Sequence, residues 1–164
     1  MLHLRTLLVI LFLCTQSHAN EARTVGETPK AKGYPKLCGF QGDVKLESQP
    51  GELLKPQVGM SLGDRLEVAT GEGQVCLALT EVERIYLYSH SHIVLPQIQW
   101  ETGFVETVLA RSGFFEMLLL RPLRIESPLF RDLLGPGQFV FIMKPEVPKV
   151  SLAVREGSAE FRGF

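Results

Sequence analysis

Residues 62–79 read LGDRLEVATGEGQVCLAL, and the spacing of their apolar side chains decides the fold class. Leu66 and Val68 stand two apart, as do Val75, Leu77 and Leu79. A period of two puts each set on one face of an extended strand and leaves Cys76 and Ala78 on the other. Between the two runs lies Thr70-Gly71-Glu72-Gly73, a reversal whose glycines suit the positive-φ positions of a hairpin turn. The stretch is a β-hairpin signal.

The same pattern continues in both directions. Upstream, Val44 and Leu46 alternate before a turn at Gln49-Pro50-Gly51. Downstream, a charged turn from Glu81 to Arg84 leads to Ile85, Tyr86, Leu87 and Tyr88. After Ser89-His90-Ser91-His92 the strand resumes at Ile93-Val94-Leu95. Phe104, Val105, Val108 and Leu109 precede an expected turn at Arg111-Ser112-Gly113, followed by Phe114 through Leu120. Met117 to Leu120 lacks alternation and reads as a strand covered on both faces, or as the start of a short helix that Pro122 would end.

Ile125 enters a further strand that Ser127-Pro128 bends, and Gly135-Pro136-Gly137 is read as a turn into Phe139, Phe141 and Met143. After a loop at 144–148, Val150, Leu152 and Val154 alternate, Glu156-Gly157 is read as a turn, and Ala159 and Phe161 begin a last short strand. No helical stripe of useful length is present. The expectation is an all-β single domain of short antiparallel strands, curled as a sandwich, barrel or solenoid, without a regular repeat.

The N-terminus has a different character. Arg5 precedes the apolar run Thr6 to Cys14 (TLLVILFLC), well short of the roughly 20 residues that span a hydrocarbon core. Ser17 and Ala19 place small residues where signal peptidase reads them, so residues 1–19 are expected to be a signal peptide cleaved near Ala19. An uncleaved anchor is disfavoured by the short run, and acylation at Cys14 by the large Leu13 before it. Residues 20–37, with Pro29, Gly33, Pro35 and three lysines, have linker composition. The all-β domain is expected over 38–164, with no later segment apolar enough to insert in a membrane.

Of the 164 residues, 17 are basic and 18 acidic, and loss of Arg5 with the leader brings the net charge from −1 to −2. That balance offers no electrostatic handle on nucleic acid or on an anionic membrane. Loss of Cys14 leaves Cys38 and Cys76. In an oxidising compartment they can bridge; the other reading is two separate thiols, one of them buried.

The stretch Gly59–Leu79 resembles the FecR domain, which places a glycine-aspartate pair before a strand and Thr-Gly before an alternating one. Tyr86 to Leu95 looks like that family's next unit, and Gly113 sits where it has a glycine in a hairpin. Ile125-Glu126-Ser127-Pro128 is similar to its Thr-Pro strand, and Val150 through Phe161 to its closing hairpin. The resemblance runs from about Gly42 to the C-terminus. Two departures are Leu134-Gly135-Pro136-Gly137-Gln138-Phe139, where the family has Arg-Gly-Thr-x-Phe, and Glu81-Val82-Glu83 in place of an Asp-Gly turn.

The resemblance implies a FecR-type fold in the periplasm of a Gram-negative bacterium, or secreted, acting without catalysis or cofactor by binding an envelope protein or peptidoglycan. Relatives that signal across the membrane carry a cytoplasmic segment and a membrane helix. This sequence shows neither, so the expectation is a soluble relative.

Residues that could carry chemistry are few. His90 and His92 at i and i+2 would share a face of a strand and could grip a metal with Glu81 or Glu83, making a metal-binding protein or a metal-dependent hydrolase of the Ser89–His92 segment. The favoured reading is a polar turn. Ser112 or Ser127 could be combined with His90 or His92 and Asp132, but no Gly-x-Ser-x-Gly supports a nucleophile. Trp100 is read as core before contact residue. The C-terminal Phe161-Arg162-Gly163-Phe164 could form an edge strand that pairs with another chain.

Overall fold

The structure, a computed structural model, describes residues 35–99, 104–144, 146 and 149–162. The expected leader with Cys14, most of the expected linker, Trp100, Gly163 and Phe164 lie outside the described residues.

Thirteen strands run in the order β1 (Lys36–Gln41), β2 (Val44–Gln49), β3 (Glu52–Leu54), β4 (Leu66–Thr70), β5 (Gln74–Ala78), β6 (Arg84–Leu87), β7 (His92–Leu95), β8 (Ile98–Gln99), β9 (Phe104–Val105), β10 (Thr107–Leu119), β11 (Leu123–Glu126), β12 (Arg131–Lys144) and β13 (Lys149–Arg162). The molecule is all-β, with no helix among the described residues. Eleven strands form one curled sheet, antiparallel except where β11 lies parallel to β10, and β8 and β9 pair separately. The first strand takes in Lys36 and Leu37, the last two residues of the segment read as linker, because Leu37 is fully buried in the core.

Strand β10 organises the curl. Its first half pairs with β7 and β11, and its second half with β6 and β12. The path β3-β2-β4-β7 therefore joins one half of β10, and β1-β5-β6 joins the other. Each turn or bend that crosses between the halves stacks on the next. The Gly71 amide donates to the Asp43 carbonyl and the His90 amide to the Gly71 carbonyl, both at 3.0 Å. The Ser91 hydroxyl donates to the Phe114 carbonyl at 2.9 Å and accepts from the Phe114 amide at 3.0 Å, while the Ser91 amide donates to the Thr70 hydroxyl at 2.9 Å. Thr70 and Ser91 are both buried, so these bonds satisfy backbone groups that bending would otherwise orphan.

Three expected turns are bends inside long strands instead. Arg111-Ser112-Gly113 lies within β10, Gly135-Pro136-Gly137 within β12, and Glu156-Gly157 within β13. Gly113 has φ of 113°, and a Cβ there would lie 2.3 Å from the Ser91 Cα, so only glycine lets β10 turn the corner against its neighbour. Gly137 and Gly157 face each other across the β12–β13 register shift, at a shared bulge. A glycine outside the ordinary strand region can reverse a chain or kink it. The local sequence is the same in both cases, and the difference lies in which strands flank it. The closing hairpin is accordingly β12–β13, not two short strands within 150–161, and Gly113 is not in a hairpin.

The core fills the curl. One inward row runs Leu37, Leu77, Ile85, Met117, Phe139, Val154 across β1, β5, β6, β10, β12 and β13. A facing row on the other half runs Leu46, Val68, Ile93, Ala110. These residues belong to one buried cluster apart from Val154. Each fully buried Leu, Ile or Phe contributes about 1.5–3 kcal/mol. Met117 and Leu119 point inward, while Leu118 is half-buried and Leu120 exposed, so that segment is a strand covered mainly on one face.

Candidate functional site

Alternation that buries one face of β5, β6, β10, β12 and β13 presents the other outward. Register partners define two outward rows: Cys76, Tyr86, Glu116, Val140, Ala153, and next to it Phe114, Ile142, Ser151. Tyr88 joins the second row, because its amide donates to the Phe114 carbonyl at 3.0 Å. Tyr86 and Ile142 are exposed at 41% and 43%, and Tyr88, Phe114 and Val140 are half-buried. The Tyr88 and Phe114 rings stack with centroids 4.5 Å apart. This is a contiguous apolar and aromatic face.

A polar group sits at its centre. The Tyr88 hydroxyl donates to Glu116 Oε2 at 3.1 Å, and Arg155 Nη2 approaches Glu116 Oε1 at 3.5 Å. Partial burial, then the Glu116 charge, push the Tyr88 phenol up to about 12, so it stays a neutral donor at any ordinary pH. At the end of the hairpin the register sets Lys144 directly opposite Lys149, both exposed. Neither lysine has an ion-pair partner among the described residues.

The residues singled out from the sequence are placed as follows. Cys38 and Cys76 form a disulfide, with sulfurs 2.02 Å apart. A register shift between Leu37 and Gly39 makes Cys38 the extra residue of a bulge, which brings it beside Cys76 while Leu37 still points inward. His90 and His92 do not share a strand. His90 occupies the turn with φ of 60° and pairs with Glu72 at 3.0 Å, whereas His92 opens β7 with Glu67 Oε2 3.4 Å away.

Neither Glu81 nor Glu83 reaches the histidines. Glu83 is buried and bound to Arg121 (Nη2 to Oε2, 2.6 Å) and to the Leu120 and Arg121 amides, each at 3.0 Å. Among the described residues no three His, Cys, Asp or Glu side chains are grouped as metal ligands would be. Ser112 lies opposite His92 in the ladder, while Ser127 accepts from the Leu129 and Phe130 amides in a local turn. Asp132 is buried in β12 opposite Ile125 and Phe161. The structure does not assemble these groups into a triad.

A shallow cleft of about 340 Å³ lies elsewhere, lined by Gln97, Gln99, Glu106, Thr107 and Glu126 among others. The Gln99 amide donates to the Glu106 carboxylate there.

Sequence reading missed the Glu83–Arg121 pair, the lysine pair and the outward row through Phe114 and Ile142. The first two join residues 38 and 5 apart whose meeting depends on strand register. The row was accessible in principle, since Phe114, Glu116 and Leu118 are the complementary parity to Phe115, Met117 and Leu119. Comparison of the chain with protein-family models, curated proteins and solved structures finds no match in any of the three.

Proposed function

We propose that this chain is an exported, non-catalytic interaction module of the FecR-like type, which binds a protein of the bacterial envelope or a cell-wall component. The observation that carries the reading is the outward face of Tyr86, Tyr88, Phe114, Val140 and Ile142, set around Glu116 and Arg155 and ending at β13, which pairs with β12 alone among the described residues. Aromatic residues and arginine are enriched at the centres of protein interfaces. The leader-like N-terminus, the order of motifs resembling FecR and the Cys38–Cys76 bridge support an oxidising compartment outside the cytoplasm.

The test is capture from crosslinked bacterial envelopes, with sedimentation on purified cell-wall sacculi in parallel. Recovery of one protein partner, lost with Tyr86→Ser and Ile142→Ser, supports a protein ligand. Sedimentation with sacculi, lost with the same variants, supports a glycan. Neither result, or capture indifferent to both substitutions, sinks the reading.

A further inference from the structure

The two edges of the sheet half that carries β1 differ. Along β1, the Leu37 amide donates to the Met60 carbonyl at 3.0 Å and the Gly59 amide to the Leu37 carbonyl at 2.7 Å, so a folded-back segment covers its start. Strand β13 is 14 residues long and pairs with β12 alone among the described residues. Its outer edge offers a row of backbone donors and acceptors.

The two ends of β13 are not alike. From Glu156 onward the strand carries Glu156, Glu160 and the bulge at Gly157, devices that blunt an edge. From Val150 to Val154 it reads VSLAV, without charge, proline, glycine or register shift. The inward side chains of this part are less covered than their neighbours on β12. Val154 is 44% exposed beside Phe139 at 1%, and Leu152 is half-buried beside Phe141 at 0%. A further strand would cover both rows at their β13 end.

Charge selects the occupant. Lys149 and Arg155 flank the bare stretch on its outward side, with Lys144 next to Lys149. A second copy pairing antiparallel about Leu152, with the two-fold axis normal to the sheet, would bring Lys149 of each copy against Arg155 of the other. Registers shifted by two residues either shorten the ladder or set Val150 against Glu156. Self-pairing is therefore opposed by like charge or poor packing.

We infer that residues 149–154 of β13 are a β-augmentation site for an extended segment of another protein, apolar at alternate positions and acidic at both ends. Lys149 and Arg155 are six residues apart, about 20 Å in a strand, so the two acids stand six residues apart in the partner. The inference rests on the interaction-module reading and gives its partner a sequence pattern.

The test uses the full chain and two labelled peptides, acetyl-EVTVTVE-amide and the same peptide with lysine at both ends, followed by fluorescence anisotropy. The acidic peptide should bind about tenfold more tightly than the basic one at low salt, with the gap narrowing at high salt. N-methylation of alternate residues on one edge of the peptide should abolish binding, because the ladder loses its donors. The double variant Lys144→Glu, Lys149→Glu should reverse the preference; both residues are exposed, so its melting temperature should stay near that of the parent.

Equal affinity for the two peptides, no binding by either, or an unreversed preference would overturn the inference. So would a dimer in sedimentation that Ser151→Pro dissolves, which would put a second copy on the edge. Envelope capture that survives the double variant alongside failed peptide binding would leave the interaction reading standing and remove only the edge. Failure of both would remove both.

Discussion

The two flanks of the curled sheet make an instructive contrast. At β1, the chain turns back to cover the strand, a disulfide ties it to β5, and Leu37 is fully buried. The seal ends by Phe40, which is 41% exposed. At β13, the strand is held by β12 alone among the described residues, and the same inward row that begins at Leu37 ends on a half-open Val154. One flank has the backbone groups and apolar surface at the start of its strand satisfied within the chain. The other leaves both unsatisfied over the stretch 149–154, as a binding surface must.

Four perturbations test how deep the contrast goes. The largest effect should come from the sealed flank. Replacing Cys38 and Cys76 by serine opens a loop of 38 residues, worth about 4 kcal/mol in the chain-entropy account. Urea unfolding of the variant should show that loss, and β1 amides should become the quickest of the strands β1, β5 and β6 to exchange. A loss under about 1 kcal/mol would mean that the backbone cover alone seals the edge.

Next is Arg121→Met. The Glu83–Arg121 pair ties the β5–β6 turn to the end of β10, and Arg121 lies 3.6 Å over the Phe104 ring. Removing the cation leaves a buried carboxylate, and about 3 kcal/mol should be lost, at the lower end for such pairs because two backbone amides still hold Glu83. Replacing both partners by apolar residues of similar volume should recover part of it.

Tyr88→Phe, on the outward face, should cost about 1 kcal/mol through its hydrogen bond to Glu116. Because the Tyr88 pKa is raised, the fold favours its neutral form. The associated stability is complete below about pH 10, the unfolded value, and is lost as pH rises toward about 12. Ultraviolet titration should show one phenol ionising late, and the late step should vanish in Tyr88→Phe and move earlier in Glu116→Gln. The smallest effect belongs to the open flank: Val154→Thr should change stability by less than about 0.5 kcal/mol, since its side chain is already half in water. A loss of several kcal/mol there would close the edge and erase the contrast.

Much of this architecture is legible in the residues. The strand signals around 66–70 and 75–78, the parity of Val75 and Leu77, and the alternation of Val150, Leu152 and Val154 all correspond to strands with those faces. The hairpin expected at 62–79 does not form, because β4 pairs with β2 and β7 while β5 pairs with β1 and β6, and neither Gly71 nor Gly73 has a positive φ. The turns were legible only as special backbone positions. At Gly113 and Gly137 the glycine is needed for a bend, because the strand changes partners there, and Gly157 lies opposite Gly137 at the bulge that lets β13 follow β12 round it. His90 and His92 were spaced to share a face, yet the positive φ at His90 puts a turn between them.

By itself, then, the sequence determined the all-β character and which side chains face inward, because strand periodicity is local and each residue carries it. Tertiary structure decided where the strands continue, which edge is covered, that Cys38 meets Cys76, and that Lys144 stands beside Lys149. Those depend on the register between paired strands, most of them distant in the chain. A shift of one residue there would turn each outward side chain to the core.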